Sequence, residues 1–219
     1  MEKSRIIMLF LDLEGTIIEE EQGQLKEQDF NNLLASLNEL QKLRNASISM
    51  HIVSPVHTKF MEEILDRLDT LIVRYNIQNN TNIREVESAV AYPDDSYIHQ
   101  DDLYDKIFPM DMSQKDDYGR YGKLKYVKSW INNIESMDGK EIDMAIYGGN
   151  GLNDVSAMAY IKGMKNGFVI CPSNSDSEVK RIASYISTKA QAEGIKDGID
   201  FINTQIKNRN KTQPEETER

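Results

Sequence analysis

The feature that most constrains the fold is an uninterrupted apolar run, residues 6–11 (IIMLFL), with Asp12 directly after it. Such runs are typical of strands buried on both faces of a parallel sheet. Three later segments that are mainly apolar are also predicted strands: residues 48–53, 142–147 and 167–171. Segments with helical spacing of apolar residues separate them. The alternation predicts an α/β fold, in which helices cover both faces of a parallel sheet.

The helical spacing predicts helices over residues 30–43, 60–71, 124–134, 155–161, 177–186 and 194–206. Residues 75–118 break this rhythm, and a structureless loop of that length is improbable inside a compact domain. We interpret them as a small inserted subdomain, with a short strand at residues 85–91. The core domain then comprises residues 1–74 and 119–207. The polar residues 208–219 are expected to be a frayed tail.

Charge and cysteine content exclude several classes of protein. The chain has 26 basic and 36 acidic residues, a net charge of −10, which argues against binding to nucleic acid or to an anionic membrane surface. Its single cysteine, Cys171, leaves no internal disulfide. The early apolar run is too short to span a bilayer or to form the core of a signal peptide. A cytoplasmic protein is the expectation.

The strongest chemical signal is Asp12-Leu13-Glu14-Gly15-Thr16 at the carboxyl end of the first predicted strand. Ligands of open α/β sheets bind at this edge. There, Asp12 could attack a phosphorus atom and Glu14 could act as general acid and base. Two carboxylates so close would also attract Mg²⁺. A polar strand end followed by a plain turn remains the alternative.

Four segments in order resemble the motifs of the haloacid dehalogenase (HAD) superfamily. Residues 10–16 (FLDLEGT) resemble motif I, D-x-D-G-T, and Ser54 ends the second strand as motif II requires. Lys123 resembles the motif III lysine at a helix start, with Lys125 and Lys128 as competitors. Residues 149–154 (GNGLND) resemble motif IV, G-D-x-x-N-D. The resemblance implies a Rossmann-like three-layer α/β/α core.

The resemblance also implies roles. Asp12 would be the nucleophile and Glu14 the general acid and base, while Ser54 and Lys123 would hold the transferring phosphoryl group. The implied phosphate contacts are Gly15, Thr16, Ser54, Lys123 and Asn174. The implied Mg²⁺ ligands are Asp12, the backbone oxygen of Glu14, Asn150 and Asp154. The implied substrate is a small phosphorylated metabolite such as a sugar phosphate.

Residues 167–199 further resemble the end of the Cof-type, sugar-phosphatase-like branch, in which Asn174 matches a loop asparagine near the phosphate. That branch has a cap between motifs II and III. Residues 75–118 would therefore be a reduced cap of the C2 type. The substrate itself and the oligomeric state stay open.

Two departures from the family pattern affect the functional prediction. Glu14 replaces the second Asp of motif I and keeps a carboxyl group, whereas Asn150 replaces the first Asp of motif IV and loses a charge. An amide oxygen can bind Mg²⁺, but with lower affinity. The prediction is a Mg²⁺-dependent phosphatase. A catalytically impaired binding or regulatory protein and a phosphotransferase remain the alternatives.

Overall fold

The computed structural model describes residues 3–19, 24–54, 59–90, 108–109 and 123–212. The strands are β1 (Ser4–Leu11), β2 (Ser47–Ser54), β3 (Ile83–Val90), β4 (Phe108–Pro109), β5 (Lys140–Gly148), β6 (Gly167–Cys171) and β7 (Tyr185–Ile186). The helices are α1 (Glu27–Arg44), α2 (Lys59–Asn79), α3 (Leu124–Ser136), α4 (Val155–Gly163), α5 (Ser177–Ile182) and α6 (Gln191–Thr212). A 3₁₀ turn, Leu152–Asp154, precedes α4.

The strands form one sheet in the order β4-β3-β2-β1-β5-β6-β7, and each pairing within it is parallel. Strand β1 lies at the centre, where Leu11 is level with Ile52 of β2 on one side and Gly148 of β5 on the other. The predicted α/β fold with a parallel sheet is confirmed.

The two faces of β1 explain its continuous apolar sequence. Ile7, Leu9 and Leu11 pack into a core with side chains of α1, α2 and α6. Ile6, Met8 and Phe10 pack into a second core with side chains of α3 and α4. Each of these six side chains is at most 2% exposed, and burial of such a side chain contributes roughly 1.5–3 kcal/mol. The three-layer arrangement follows from these two cores.

The predicted boundaries of the insert and of the tail are wrong. Helix α2 continues to Asn79, and β3 (Ile83–Val90) pairs with β2 in the main sheet, so residues 75–90 extend the core. The alternating polar sequence of β3 lacks the apolar run that marks the central strands. Residues 91–107 and 110–118 of the predicted insert lie outside the described residues. Helix α6 includes residues 208–212, and the rest of the predicted tail is also outside the description.

The single helix predicted over residues 177–186 is also wrong, because α5 ends at Ile182 and β7 follows it. The amide of Ser184 donates to the Val169 carbonyl over 2.9 Å, and the amide of Ser187 donates to the Cys171 carbonyl over 2.8 Å. These bonds to β6 take the place of a further helical turn. Among the described helices, none is long and apolar enough to cross a bilayer.

Candidate active site

The candidate site lies at the carboxyl edge of the sheet, between β1 and β5. From β1 the chain adds β2, β3 and β4 on one side and β5, β6 and β7 on the other, so the strand order reverses at this point. Parallel strands leave a crevice beyond their carboxyl ends at such a reversal, and ligands bind there. Asp12 follows β1 directly, and residues 149–154 follow β5.

The loop after β1 is a tight turn that requires glycine at its centre. Gly15 has φ +72°, and its amide donates to the Ile18 carbonyl over 2.9 Å. A Cβ atom at this position would lie 2.1 Å from Nδ2 of Asn150. Both the left-handed backbone and the contact with Asn150 therefore exclude a side chain here.

Lys123 joins the two acidic residues of the site. Its Nζ donates to Oδ1 of Asp12 and, over 2.7 Å, to Oδ1 of Asp154. The lysine and Asp154 are fully buried, and Asp12 is 5% exposed. The competing lysines, Lys125 and Lys128, are exposed on α3. The site thus holds two buried carboxylates against one ammonium group.

The excess of carboxylates over ammonium groups shifts the pKa values of Asp12 and Lys123. Burial, together with the Asp154 carboxylate, raises the pKa of Asp12 to about 7, although the Lys123 ammonium opposes the rise. Burial alone would lower the pKa of Lys123, but Asp12 and Asp154 outweigh it, so that the lysine pKa is raised. The lysine is therefore a permanent cation, and Asp12 is ionised above about neutral pH.

Thr16 and Asn150 lie next to the nucleophile position. The Thr16 hydroxyl is 3.3 Å from Oδ2 of Asp12 and 3.1 Å from Oδ1 of Asn150. It has one proton and donates to one of these oxygens at a time. Asn150 thereby stands beside Asp12 with a neutral oxygen, at the position where the family pattern has a carboxylate.

Asn174 fastens the loop after β6 to the loop after β1. Its Nδ2 donates to the Gly15 carbonyl over 2.8 Å, and the Asp176 amide donates to the Asn150 carbonyl over the same distance. Asn174 is therefore at the site, where its amide nitrogen supports the backbone of the Gly15 turn.

Two further predicted residues, Ser54 and Glu14, lie at the same edge of the sheet. Ser54 is buried at the end of β2, next to β1. The Glu14 side chain is half-buried, and the backbone of Glu14 forms a bridge with Ile18. The structure brings Asp12, Thr16, Lys123, Asn150 and Asp154 together and places Ser54 and Glu14 beside them.

Tyr147 belongs to the site and was missed by the sequence analysis. Its hydroxyl donates to Oδ1 of Asp154 over 2.8 Å, and its ring is fully buried against Phe10. Burial, with the Asp154 and Asp12 carboxylates, raises the pKa of Tyr147 well above its usual value. The available signal was a tyrosine at the last position of the predicted strand 142–147, since buried tyrosine hydroxyls find a hydrogen-bond partner.

The donor set fits Mg²⁺. Its protein oxygens are the carboxylates of Asp12 and Asp154 and the amide oxygen of Asn150, with no thiolate or imidazole among them. Across the described part of the chain, no three His, Cys, Asp or Glu residues gather closely enough to hold a metal. Mg²⁺ does not need three, because it commonly binds one or two carboxylates together with water and substrate phosphate.

Comparison with known proteins identifies the fold. No family model and no curated protein sequence matches the chain. A structure described as a HAD-superfamily (subfamily IIIA) hydrolase from Legionella pneumophila superposes with TM-score 0.50 and 12% identity, covering 93% of this chain and 85% of the other. The cobalt-bound form of deoxy-D-mannose-octulosonate 8-phosphate phosphatase from Haemophilus influenzae gives 0.51 and 9%, covering 92% and 88%.

At such low identity these similarities show the fold alone: the chain has the fold of HAD-superfamily proteins. Neither structure is described as a Cof-type protein, so the assignment to that branch stays a prediction.

Proposed function

We propose that the protein is a Mg²⁺-dependent phosphomonoester hydrolase, a HAD-type phosphatase acting on a small phosphorylated metabolite such as a sugar phosphate. The observation that carries the proposal is the buried cluster of Asp12, Lys123 and Asp154 at the strand reversal. A structural ion pair would need one carboxylate for one lysine. The second carboxylate adds the free-energy cost of burying a further charge. Buried groups whose charges are so destabilised are concentrated at functional sites.

The proposed reaction has two displacements. In the first, a carboxylate oxygen of Asp12 forms a bond to phosphorus, the ester P–O bond breaks, and Glu14 protonates the leaving oxygen. In the second, Glu14 takes a proton from a water molecule, whose oxygen attacks phosphorus and breaks the bond to Asp12. Inorganic phosphate leaves, and both carboxylates return to their starting state.

The remaining residues bind and orient the phosphoryl group. The Lys123 ammonium supplies positive charge beside the attacking oxygen, where buried charges act strongly on a transferring phosphoryl group. The hydroxyl groups of Ser54 and Thr16 are the proposed donors to phosphate oxygens. Bound Mg²⁺, held by Asp12, Asp154, Asn150 and the Glu14 backbone oxygen, would neutralise charge on the phosphate.

Phosphate release from p-nitrophenyl phosphate, with and without Mg²⁺, tests the proposal. We expect activity that requires Mg²⁺ and that is lost in Asp12→Asn. Asp138→Asn is the matched control, because it makes the same change on an exposed residue before β5. Turnover by Asp12→Asn in the presence of chelator would refute the proposed chemistry.

A panel of phosphorylated metabolites then identifies the substrate class. The panel should contain hexose phosphates and the 8-phosphate of deoxy-octulosonate, for which the Haemophilus influenzae enzyme of similar fold is named. Activity on sugar phosphates above that on nucleotides would support the proposed substrate class. A uniform lack of preference would contradict it.

The amide at position 150 favours a second candidate function, that of a phosphate-binding protein with impaired catalysis. The amide removes one negative charge from the metal site, and charge count is a main determinant of cation affinity. Calorimetry with Mg²⁺ and beryllofluoride, a phosphate mimic, separates the candidates. Tight binding without turnover on any substrate of the panel would favour the binding protein.

A further inference from the structure

The carboxylate of Asp154 has an unusually complete set of partners. Oδ1 accepts hydrogen bonds from Lys123 over 2.7 Å and from Tyr147 over 2.8 Å, and Oδ2 accepts one from the Gly151 amide over 3.0 Å. A carboxylate oxygen has about two lone-pair sites. Oδ1 is therefore saturated, and the remaining acceptor capacity lies on Oδ2.

The position of Tyr147 in the sheet explains why its hydroxyl reaches this oxygen. On β5, Tyr147 faces the core of α3 and α4, while Ile146 faces the opposite core. Its ring stacks on Phe10, its partner in the register with β1, at a centroid distance of 6.4 Å. The ring packs against the sheet, and the hydroxyl lies at the carboxyl end of β5. Asp154 precedes α4 at the same end.

Charge makes the orientation of Asp154 important. Because position 150 is an amide, Asp12 and Asp154 supply the two carboxylates of the proposed metal site. Asp12 is also the proposed nucleophile. Asp154 is then the carboxylate that takes no part in the proposed displacements, so that its orientation bears on how well the cation is held.

We propose that Tyr147 is a positioning residue, whose hydroxyl fixes the orientation of the Asp154 carboxylate within the proposed Mg²⁺ site. The inference rests on the proposed function, because it assigns Asp154 to a metal site. It differs from a packing role in that the hydroxyl, and not the ring, carries the effect. Hydrogen-bond partners of metal-binding carboxylates commonly change metal affinity or activity by about 10–100-fold when removed.

The test compares two tyrosine-to-phenylalanine variants. Tyr147→Phe removes the hydroxyl and keeps the ring against Phe10. Tyr185→Phe is the matched control, because Tyr185 donates to Oδ2 of Asp197 over the same 2.8 Å, between β7 and α6 and outside the site. Each protein is titrated with Mg²⁺ alone in a calorimeter. The rise in melting temperature that Mg²⁺ causes gives an independent measure of the same affinity.

We expect Tyr147→Phe to bind Mg²⁺ at least about tenfold more weakly than the parent, with kcat lowered and KM for p-nitrophenyl phosphate within about twofold. Tyr185→Phe should match the parent in Mg²⁺ affinity and kcat. Unchanged Mg²⁺ affinity in Tyr147→Phe would overturn the inference and leave the proposed function standing. Weakened binding in a protein that releases no phosphate from any substrate would support the inference and overturn the function. A parent that binds no Mg²⁺ would overturn both.

Discussion

Replacing the proposed nucleophile should stabilise the folded protein. Asp12 is buried beside Asp154, and these two carboxylates share one ammonium group, that of Lys123. Asp12→Asn removes one negative charge and keeps the size of the side chain, which leaves a balanced buried pair. The substitution that abolishes the proposed chemistry should therefore raise the free energy of unfolding when no metal is bound.

The pKa of Asp12 gives the magnitude. Burial and the Asp154 carboxylate raise this pKa from 3.8 to about 7 in the folded state. At about 1.4 kcal/mol for each pKa unit, ionising Asp12 costs the folded protein roughly 4 kcal/mol more than it costs the unfolded chain. An asparagine amide imitates a protonated carboxyl imperfectly, so we expect a gain of about 1–3 kcal/mol near pH 8.

The sign of the pH dependence follows from proton linkage. Between about pH 4 and pH 7, the folded state keeps the Asp12 proton while the unfolded chain has lost it, so the parent loses stability as the pH rises. Above about pH 7 Asp12 is ionised in both the folded and the unfolded state, and the loss of stability reaches its full value. The gain in Asp12→Asn should therefore be smallest near pH 4.5 and largest near pH 8. His51, whose pKa burial lowers to about 3, titrates in both proteins and cancels in the comparison.

Urea unfolding in chelator, followed by circular dichroism at these pH values, measures the difference. Asp138→Asn, the exposed control, should stay within about 0.5 kcal/mol of the parent throughout. The reasoning is refuted if Asp12→Asn is no more stable than the parent near pH 8, or if its gain does not change with pH.

Three further substitutions have defined outcomes. Lys123→Met leaves two buried carboxylates without a cation and should lower the free energy of unfolding by about 3–5 kcal/mol, measured by urea denaturation. Gly149→Ala would place a Cβ atom 2.5 Å from Oδ2 of Asp154, and should cut phosphate release at least about tenfold. Gly163→Ala, whose Cβ atom would contact nothing beyond its chain neighbours and the backbone of its own helix, should match the parent. Asn150→Asp adds a carboxylate to the site and should tighten Mg²⁺ binding by roughly tenfold in calorimetry, while lowering the melting temperature in chelator.

Local sequence was sufficient for the central strands and the layers. Strand β1 is apolar at every position from Ile6 to Leu11 because both faces of a central parallel strand are covered by helices. Mainly apolar segments located β5 and β6, and with them the polar residues that follow. The class of fold could therefore be predicted from the sequence.

The positions of the outer strands in the sheet could not be predicted from local pattern, although a short strand at residues 85–91, within the insert, was predicted and β3 overlaps it. β3 has the polar, alternating sequence IREVESAV, and its strand conformation depends on pairing with β2, in which Ile48 is the partner of Ile83. Similarly, β7 forms where a helix was predicted, because Ser184 and Ser187 bond to the backbone of β6. Such pairings involve partners distant in sequence, and periodicity within a short window carries no information about them.

The same distinction applies to the candidate site. The resemblance of the segments that follow β1 and β5 to family motifs was enough to name Asp12 and Asp154, and the carboxyl ends of parallel strands meet at one edge. The same resemblance named Lys123, with Lys125 and Lys128 as competitors. Only the tertiary structure could distinguish Lys123 from its neighbours on α3, because its carboxylate partner Asp12 lies 111 positions away. Only the structure could show that Tyr147 donates to Asp154. Burial and hydrogen-bond partners depend on which atoms the fold brings within about 3 Å, and no local sequence pattern specifies them.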